Sequence, residues 1–415
     1  MRVWVGIDDT DSRKGMCTTY IALLAMERLK RVAKVLGLPR LIRLNPTIPF
    51  KTRGNGAVSF LLETEDLKET VDIVSEVILE FAELEDDRTN PGVVFVEDEM
   101  LPKLSNFADR TIKDVVTIDD ALFIINKYRI PYLKFKKGRG LIGALASVGA
   151  ELYDYTLELL VYRYPEKFGK IREYDRESFF DIDYELYPEV FDTVDWCNDV
   201  VVAVPSSPCP VLYGLRGEST EALYKAMSIA RTEKFEKYQI FVTNHATDMH
   251  IVDGGKVESI KNYRSYKIRG TVVKDPYDIA GGHVFFEIET KFGVFKCAAF
   301  EPTKQFRNVV RKLMTGDVVE VYGSMKNDTI NLEKIKLIEL VKKVALNPRC
   351  KCGKRMESVG KNKGFRCKRC KTFSLEKEIV EINRDIELGF YEVPPSARRH
   401  LTKPLIRMGE KHVFR

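Results

Sequence analysis

The sequence predicts a multidomain α+β protein, and three observations carry this prediction. A chain of 415 residues is too long for a single hydrophobic core. Strand-like and helix-like segments alternate through the first 160 residues, and five short β-runs follow between residues 266 and 341. Four cysteines then cluster between residues 350 and 370. We therefore expect layered α/β structure first, then a small β-barrel, then a cysteine-rich module.

The N-terminal part is predicted to be a sheet covered by helices. Short apolar runs favour strands, and apolar residues at spacings of three and four favour helices between them. Residues 164–196 are rich in Tyr, Asp, Glu and Phe, and we expect irregular or edge structure there. The predicted strands are Arg2–Ile7, Arg40–Leu44, Ala57–Leu62, Val93–Val96 and Thr156–Tyr162, and the predicted helices include Thr19–Val35 and Asp66–Glu83.

A third piece of mixed structure begins near Val200. It contains the run VVAVP, a loop rich in proline and glycine, a predicted helix over Thr220–Thr232 and the strand YQIFVT. From Tyr266 to Val341 the sequence alternates β-runs, among them HVFFEIET and DVVEVYGSM. Five short strands in a segment of this length are typical of a small barrel of the oligonucleotide-binding type.

Charge is distributed unevenly along the chain. The net charge is +6, but residues 341–380 carry thirteen Lys or Arg against three Glu, a net of +10, so the other residues sum to −4. A basic module on a nearly neutral body favours a polyanionic partner, although a solvated lysine-rich surface explains the charge alone equally well. Because no run approaches ~18 apolar residues and no signal-peptide pattern opens the sequence, we expect no membrane partner and a cytoplasmic location.

The clustered cysteines have the spacing of a structural zinc site. Cys350 and Cys352 form one close pair, Cys367 and Cys370 form another, and fourteen residues separate the pairs. Two such pairs supply the four soft ligands of tetrahedral Zn²⁺. Two disulfides are the alternative, which is disfavoured because nothing marks the chain as secreted. All four ligand positions are filled by cysteine, so we expect this Zn²⁺ to hold the fold and not to catalyse.

Basic residues surround these cysteines, and aromatic residues lie among them. Phe365 and Phe373 are available for stacking on bases. Basic side chains interleaved with aromatic ones, next to a predicted barrel, are typical of a nucleic-acid surface. The candidate RNA-binding residues here are Lys351, Arg355, Lys363, Arg366, Lys368 and Arg369.

The segment GIDDTD ends the first predicted strand and places Asp8, Asp9 and Asp11 within four positions. Like charges ~4 Å apart near a protein surface cost on the order of 4 kcal/mol. A bound Mg²⁺, which takes one or two carboxylates and keeps waters for substrate phosphates, removes this cost. We therefore favour a magnesium site over a solvated loop. The hydroxyl of Thr18 or Thr19, downstream, is either a helix N-cap or a phosphoryl acceptor.

A second candidate phosphate site is the segment KFKKGRGLIGALASVGAEL. Backbone N–H groups at a helix start favour phosphate, and the basic residues add positive charge. The segment is not a Walker loop, because Gly-Lys-Ser/Thr is missing, and close helix packing explains Gly143 equally well. The RGNG turn at residues 53–56 is a third candidate, with an ordinary hairpin as the alternative. The candidate residues of the second site are Lys137, Gly138, Arg139, Gly140 and Gly143.

Two further polar clusters follow strands in the third piece. Residues 213–218 read YGLRGE, and residues 243–250 read TNHATDMH. A ligand-binding loop and a capped turn explain such clusters equally well. His245, His250 and Asp248 form a weaker metal-site hypothesis, because their spacing is not that of a compact metal motif.

Taken together, these motifs resemble one known family over nearly the whole chain. In order they are GIDDTD, CTT, RGNG, GRGLIGALAS, VLYGLRGES and TNHATDMH, followed by the barrel, the paired cysteines and PPSARRHLTKP. This series resembles the archaeal agmatinylcytidine synthetases, which modify the wobble cytidine of an isoleucine tRNA. The order and coverage make the resemblance far more specific than any single motif.

The resemblance implies a division of the chain into five parts. These are an ATP-binding, kinase-like α/β domain over residues 1–196 and a ferredoxin-like, agmatine-binding region over residues 197–262. An oligonucleotide-binding (OB) barrel over residues 263–343, a zinc ribbon over residues 344–380 and a basic C-terminal tail over residues 381–415 complete the chain.

The resemblance also implies a reaction. ATP and Mg²⁺ bind near Asp8, Asp9 and Asp11, and Thr18 matches the family's threonine that becomes phosphorylated. ATP ends as AMP, the C2 carbonyl oxygen of the cytosine is activated as a phosphoryl ester, and the amine of agmatine expels phosphate. The tRNA with the CAU anticodon then reads AUA. Lys137, Arg139 and the glycines at positions 138, 140 and 143 are expected to bind ATP.

The resemblance further implies a guanidinium pocket and an RNA-holding tail. Because agmatine carries a guanidinium, its pocket should contain a carboxylate and an aromatic face. Tyr213 and Asp248, with Arg216 between them in sequence, are the candidates for this pocket. Arg398 and Arg399 of the C-terminal tail join the ribbon residues as candidate RNA contacts.

Three alternatives compete with this interpretation. The first is a non-enzymatic RNA-binding protein that uses only the barrel and the ribbon, although RNA phosphates would avoid three aspartates. The second is a small-molecule phosphotransferase, which would consume ATP without RNA. The third is a metal-dependent nuclease, which would need no ATP.

Overall fold

The computed structural model describes residues 1–51 and 54–410. Its N-terminal body comprises eleven strands and seven helices within these residues. The elements are β1 (Arg2–Asp8), α1 (Thr18–Leu29), β2 (Ala33–Arg43), β3 (Gly56–Thr64), α2 (Leu67–Phe81), β4 (Gly92–Glu97), α3 (Ser105–Lys113), α4 (Ile118–Tyr128), β5 (Tyr132–Lys134), α5 (Leu141–Gly149), β6 (Thr156–Tyr162), α6 (Arg176–Leu186), β7 (Val190–Phe191), β8 (Val194–Asp195), β9 (Val200–Val201), β10 (Val211–Gly217), α7 (Thr220–Ile229) and β11 (Lys237–Thr243).

Nine of these described strands form one sheet in the order β5-β4-β1-β3-β2-β11-β6-β10-β7. Strands β2 and β11 pair in parallel, with Val242 opposite Arg40, whereas the other neighbours are antiparallel. Side chains alternate across β1, as a strand requires. Val5 and Ile7 pack with α1 and α2, whereas Trp4 packs on the opposite face with α3, α4 and α5. Helices therefore cover both faces of the N-terminal part of the sheet.

Most of the predicted elements of this body are present, with two differences. The predicted helix Thr19–Val35 ends at Leu29, and Val35 instead lies opposite Leu62 in the β2–β3 pair. This segment is a strand because it pairs with β3, and the helical spacing of its apolar residues did not indicate that pairing. Residues 164–196, expected to be irregular or edge structure, contain the edge strand β7 and also the helix α6, whose first turn is capped by Asp175 and whose Phe179 packs into the core.

A closed barrel follows the N-terminal body, as the sequence predicts. Among the described residues, five strands close it in the order β13-β14-β15-β17-β16, with β16 returning to β13. Its elements are β12 (Ile251–Asp253), β13 (Ser265–Ile279), β14 (His283–Thr290), β15 (Gly293–Ala299), α8 (Phe306–Arg311), β16 (Val318–Lys326) and β17 (Thr329–Glu339). Strand β12 pairs with β13 outside the closed ring.

The cysteine-rich module is small, and the chain returns to the barrel after it. The elements are β18 (Lys343–Leu346), β19 (Glu357–Ser358), β20 (Phe365–Arg366), β21 (Phe373–Ser374), β22 (Glu378–Glu381) and β23 (Gly389–Glu392). Strands β18 and β22 pair at the base of the module, whereas β23 pairs with β17 of the barrel. No helix in the described part of the chain is long and apolar enough to cross a membrane.

Candidate active site

The end of β1 and the start of α5 pack so closely that only glycine fits between them. A Cβ atom on Gly143 would lie 1.9 Å from Oδ2 of Asp8, and one on Gly140 would lie 2.4 Å from the Asp8 carbonyl oxygen. Asp9 has a left-handed φ of 60°, and its Oδ2 accepts a 3.2 Å hydrogen bond from the Asn90 backbone N–H. The two glycines therefore place the aspartate loop directly against the start of α5.

Burial makes these carboxylates unusually weak acids. It raises the pKa of Asp8 well above its usual range, and the adjacent Asp9 charge raises it further. Burial likewise raises the pKa of Asp9 to about 6, although Arg139 and the Asn90 N–H oppose the shift and Asp11 adds to it. Carboxylates whose ionised forms are this costly are suited to a cation, which would restore their ordinary acidity.

Thr18 lies beside the aspartates and does not cap the helix. It is the first residue of α1 and is 6% exposed, and its Oγ1 accepts a 3.1 Å hydrogen bond from the Thr10 hydroxyl. The N-cap residue is Cys17, whose side chain makes no capping hydrogen bond. The N-cap interpretation of Thr18 and Thr19 is therefore wrong, and the Thr18 hydroxyl lines the same cavity as the three aspartates.

The predicted phosphate loop forms the other side of this region. Lys137, Arg139 and Gly143 line the cavity. Gly138 has a φ of +63°, which favours glycine, and turns the chain before α5. The Arg139 guanidinium lies 4.9 Å from the centre of the Phe50 ring and donates to the Phe50 carbonyl oxygen. In the RGNG turn, Arg53 lies outside the described residues.

The cavity is large, about 830 Å³, and it has a second end across the sheet. We call the region of Asp8, Asp9, Asp11, Thr18 and residues 137–143 the acidic end. Strands β1 and β6 are four strand positions apart, a spacing of about 19 Å. The second end, which we call the cationic end, consists of Arg43, Glu158, Arg216, His245 and His400.

Glu158 is the centre of the cationic end. This β6 residue is 2% exposed, and its Oε2 lies 3.1 Å from Nη2 of Arg43 and 3.5 Å from Nδ1 of His245. Its Oε1 lies 3.7 Å from Nε of Arg216. The His245 ring contacts the His400 ring edge-to-face at 4.9 Å. Five separate segments of the chain therefore meet around one buried carboxylate.

The charges of this cluster follow from its packing. Burial opposes ionisation of Glu158, but Arg43, His245 and Arg216 outweigh it and hold the pKa of this carboxyl well below its usual range. Burial, together with Arg216, lowers the pKa of His245 to about 3. Burial and Arg43 lower the pKa of His400 well below its usual range. At neutral pH the cluster therefore holds two guanidiniums, one carboxylate and two neutral imidazoles.

No sequence pattern indicated a role for Arg43 or Glu158, and His400 was present only inside the motif PPSARRHLTKP, without a role of its own. One signal was available, because Glu158 is an acidic residue inside the apolar strand TLELLVY, where a charge requires a partner. No sequence signal links Arg43 or His400 to that strand, since the contact arises only in the folded chain. His245 was a candidate only in the metal-site hypothesis.

The candidate agmatine residues are separated by the fold. Arg216 lines the cavity, but Tyr213 and Asp248 do not. Tyr213 is 1% exposed and packs in the core with its ring 5.5 Å from that of Phe179. Asp248 forms a 2.5 Å ion pair with Lys334 of the barrel.

The metal-site hypothesis for the TNHATDMH segment is not supported by the side-chain positions. His245 faces Glu158, whereas Nε2 of His250 lies 3.0 Å from Oε2 of Glu333. Within the described residues, one set of three or more His, Cys, Asp or Glu ligand atoms lies within 4.8 Å of one another, and this set is the four cysteines.

The C-terminal segment folds into the body. The Arg398 side chain is 2% exposed and pairs with Asp192 and, at 2.9 Å, with Glu392. Arg399 donates to Ser324 at 2.7 Å and pairs with a barrel glutamate at 3.2 Å. Pro395, Ser396, Arg398 and His400 form part of the cavity wall. Arg398 therefore forms internal ion pairs and also lines the cavity, and its assignment as an RNA contact stays a prediction.

The cysteine module has the predicted ligand geometry. The Sγ atoms of the four cysteines lie within 4.8 Å of one another, with Cys352 and Cys367 at 3.6 Å. Phe373 is exposed, whereas Phe365 packs in the small core of the module and cannot stack on a base. The six candidate RNA-binding residues are all exposed, namely Lys351, Arg355, Lys363, Arg366, Lys368 and Arg369.

Three family models match separate parts of the chain. The TiaS TCKD domain matches residues 4–65, the TiaS FLD domain matches residues 138–250, and the TiaS C-terminal zinc ribbon domain matches residues 347–386. The predicted domain boundary at residue 196 falls inside the second match, and it also separates β6 from β10, which pair in the sheet.

Curated relatives match over the full length. The 2-agmatinylcytidine synthetase TiaS of Archaeoglobus fulgidus, named for the isoleucine-2 tRNA, is 67% identical, and the match covers 100% of both chains. The protein of the same name from Methanosarcina acetivorans is 45% identical, with 99% of this chain and 98% of the relative covered.

Solved structures agree with this match. A crystal structure of TiaS in complex with the isoleucine-2 tRNA and ATP has a TM-score of 0.94 at 67% identity. A second complex, of TiaS with the same tRNA, AMPCPP and agmatine, has a TM-score of 0.92 at 64% identity. Both matches cover 100% of this chain and of the solved chain. Fold and site together define a multidomain α+β protein with a large two-ended cavity, a closed barrel and a zinc ribbon. The chain belongs to the TiaS family of tRNA 2-agmatinylcytidine synthetases.

Proposed function

We propose that this chain is an ATP-dependent ligase that conjugates agmatine to C2 of the wobble cytidine of the CAU-anticodon isoleucine tRNA. The observation that carries the proposal is the single cavity that places three aspartates, a buried threonine and a basic loop at one end and a polar cluster at the other. The sequence similarity to TiaS proteins, which extends over almost the full length of the chain, supports the same reaction. An RNA-binding protein without catalysis has no use for such a cavity.

The acidic end is assigned to ATP. Asp8, Asp9 and Asp11 offer the carboxylate oxygens that Mg²⁺ prefers, and Mg²⁺ needs only one or two of them. Bound there, the ion would neutralise charge on the phosphoryl group in transit. Lys137 and Arg139 line the same region and add positive charge from the protein. Their role is to hold the phosphates in line with the acceptor.

Thr18 is assigned as a phosphoryl acceptor. Its hydroxyl lines the cavity beside the aspartates and is oriented by the Thr10 hydroxyl. A threonine that only capped the helix would direct its oxygen at the backbone N–H groups of α1, which Thr18 does not do.

The chemistry at the cytosine proceeds in two steps. First, the C2 carbonyl oxygen forms a bond to a phosphorus atom of ATP, while the P–O bond to the rest of the nucleotide breaks and that remainder leaves. The transfer converts the C2 oxygen from a poor leaving group into a good one. Second, the primary amine of agmatine forms a bond to C2, the C2–O bond breaks, and phosphate leaves as the amine loses a proton. Because water would compete with agmatine, the reaction is favoured by a recessed cavity that limits the access of water. Tyr213 and Asp248 remain predicted agmatine contacts, and both lie outside the lining of the cavity.

The remaining modules are assigned to tRNA. The barrel and the exposed basic face of the ribbon would hold the RNA while the target base leaves its stack. Zn²⁺ bound by Cys350, Cys352, Cys367 and Cys370 would fix the ribbon, whose own apolar core is small. We assign the kinase-like role to the layer of β1–β5 and the ferredoxin-like role to β6, β7, β10 and β11.

The test combines labelled agmatine, ATP, Mg²⁺ and a transcript of the CAU-anticodon tRNA. We expect agmatine label in the RNA with the intact chain, and a loss of at least about a thousandfold with Asp8→Asn. Asp72→Asn, on the exposed face of α2, is the matched control and should retain transfer. Tight, salt-sensitive RNA binding without transfer would refute the proposal. ATP consumption that is independent of RNA would instead indicate a small-molecule phosphotransferase.

A further inference from the structure

The cationic end has no role in the chemistry of ATP or metal described above. It is nevertheless a built feature, because β2, β6, β10, the loop after β11 and the C-terminal segment each contribute one side chain to it. Burying Glu158 with two guanidiniums costs desolvation energy that apolar residues of similar volume would avoid. Such a cluster at a cavity wall is therefore expected to contact a ligand.

The charge and hydrogen-bonding capacity of the cluster restrict that ligand. A phosphate offers only acceptors, and the Glu158 carboxylate would repel it. Agmatine is a dication, and the guanidiniums of Arg43 and Arg216 would repel it. A nucleobase edge presents donors and acceptors side by side without net charge, and it matches a site that holds a carboxylate, two guanidiniums and two neutral imidazoles.

Hydrogen bonds within the cluster are incomplete. Nε of Arg43, Nε of Arg216 and Nδ1 of His245 are buried and make no hydrogen bond to any described residue. Leaving such groups unpaired is costly, and native proteins rarely do so. The Glu158 carboxylate can accept up to about four hydrogen bonds. One of its contacts, that to Arg216 at 3.7 Å, is too long for a hydrogen bond, so capacity remains.

We propose that the cationic end reads the Watson–Crick edge of the target cytosine, with Glu158 accepting from the N4 amino group and Arg216 donating to N3. This inference rests on the proposed function. The two contacts select cytosine over uracil, because uracil would present its O4 acceptor to the carboxylate and its N3–H to the guanidinium. The C2 oxygen takes no part in either contact.

The test removes the N4 amino group from the RNA. Full-length tRNA is prepared with cytidine or with 2-pyrimidinone riboside at the wobble position, and kcat/KM for agmatine transfer is measured for both. The intact chain should prefer cytidine by roughly ten- to a hundredfold, as expected for one hydrogen bond to a charged group. Equal rates for the two RNAs would overturn the inference while leaving the proposed function intact. No transfer to either RNA would instead overturn the proposed function.

A variant separates base reading from a structural role. Glu158→Gln should reduce the preference for cytidine over 2-pyrimidinone to about threefold, since a neutral acceptor is weaker. It should also tighten competitive binding of tRNA with uridine at this position, because the amide can donate to O4. Glu333→Gln removes an equally buried, ion-paired carboxylate outside the cavity lining, and it should preserve the preference. A Glu158→Gln variant that keeps the full preference for cytidine, whether or not it slows transfer to both RNAs, would show a structural role and overturn the inference.

Discussion

The two ends of the cavity bury carboxylates in opposite electrostatic environments. At the acidic end, burial and mutual repulsion raise the pKa values of Asp8 and Asp9, and Arg139 compensates only in part. At the cationic end, Glu158 is at least as buried, yet Arg43, His245 and Arg216 hold its pKa well below its usual range. The difference shows that neighbours from distant segments, and not burial alone, decide whether a carboxylate here is ionised.

The two ends also differ in how they are assembled. One loop of four residues carries all three aspartates of the acidic end. The cationic end takes one residue from each of five segments, the last of them at residue 400. Substitutions should therefore act locally at the acidic end, whereas at the cationic end they should loosen the docking of several segments at once.

The largest expected effect is a loss of stability at the cationic end. Glu158→Gln removes the carboxylate that compensates Arg43 and Arg216, and breaking a buried pair of this kind costs about 3 kcal/mol. We expect the free energy of unfolding, measured by denaturant titration, to fall by that amount. Glu76→Gln, on the exposed face of α2, should change it by less than about 0.5 kcal/mol. Equal values for the two variants would contradict the ion-pair account.

The next effect concerns catalysis at the acidic end. Gly143→Ala places a methyl group where Oδ2 of Asp8 now lies, so the carboxylate must move. A displacement of about 1 Å at a reacting site costs roughly a hundredfold in rate, and we expect that loss in kcat for agmatine transfer. The barrel and the ribbon, which are assigned to tRNA, contribute no residue to the cavity lining, so tRNA affinity should be retained. A variant with full kcat would show that the position of Asp8 is not critical.

Asp9→Asn is expected to have a smaller effect on stability, opposite in sign to that of Glu158→Gln. The folded pKa of about 6 exceeds the ordinary value of 3.8, so the wild-type chain loses stability as the pH rises from about 4 to 6. The amide has no charge to bury, and the variant should be more stable at pH 7 by about 1 kcal/mol, a value reduced for the partial exposure of Asp9. Denaturant titrations at pH 4 and pH 7 check this, and a variant that is less stable at pH 7 would contradict it.

A substitution in the zinc ribbon is expected to have the smallest effect on the two ends of the cavity. Cys367→Ser removes one predicted zinc ligand from a module with a core of four buried residues. We expect weaker binding of tRNA and no change in the binding of ATP, because the ribbon lines no part of the cavity. Filter binding and a nucleotide fluorescence assay measure the two quantities. A parallel loss of ATP binding would show that the ribbon and the cavity are coupled.

Local patterns in the sequence predicted several features. The strand Thr156–Tyr162, the closed barrel and the four-cysteine cluster are present as predicted. The spacing of the apolar residues after Leu29 is compatible with a helix and with a strand, and a helix is predicted there from the sequence. Only the pairing of Val35 with β3 in the folded chain shows that the segment is a strand. The side chain of Arg398, a predicted RNA contact, is buried because Asp192 and Glu392 lie beside it in the folded chain, and no local pattern indicates these partners.

The sequence by itself determined what is local or regularly spaced. The aspartate cluster, the glycines before α5 and the paired cysteines lie within short segments, so their chemistry is visible before folding. Only the tertiary structure brought Arg43, Glu158, Arg216, His245 and His400 together, because β2 and β6 become neighbours of β11 through pairing across the sheet. No local pattern encodes a cluster of this kind, since each member is one isolated polar residue until the sheet and the C-terminal segment close around it.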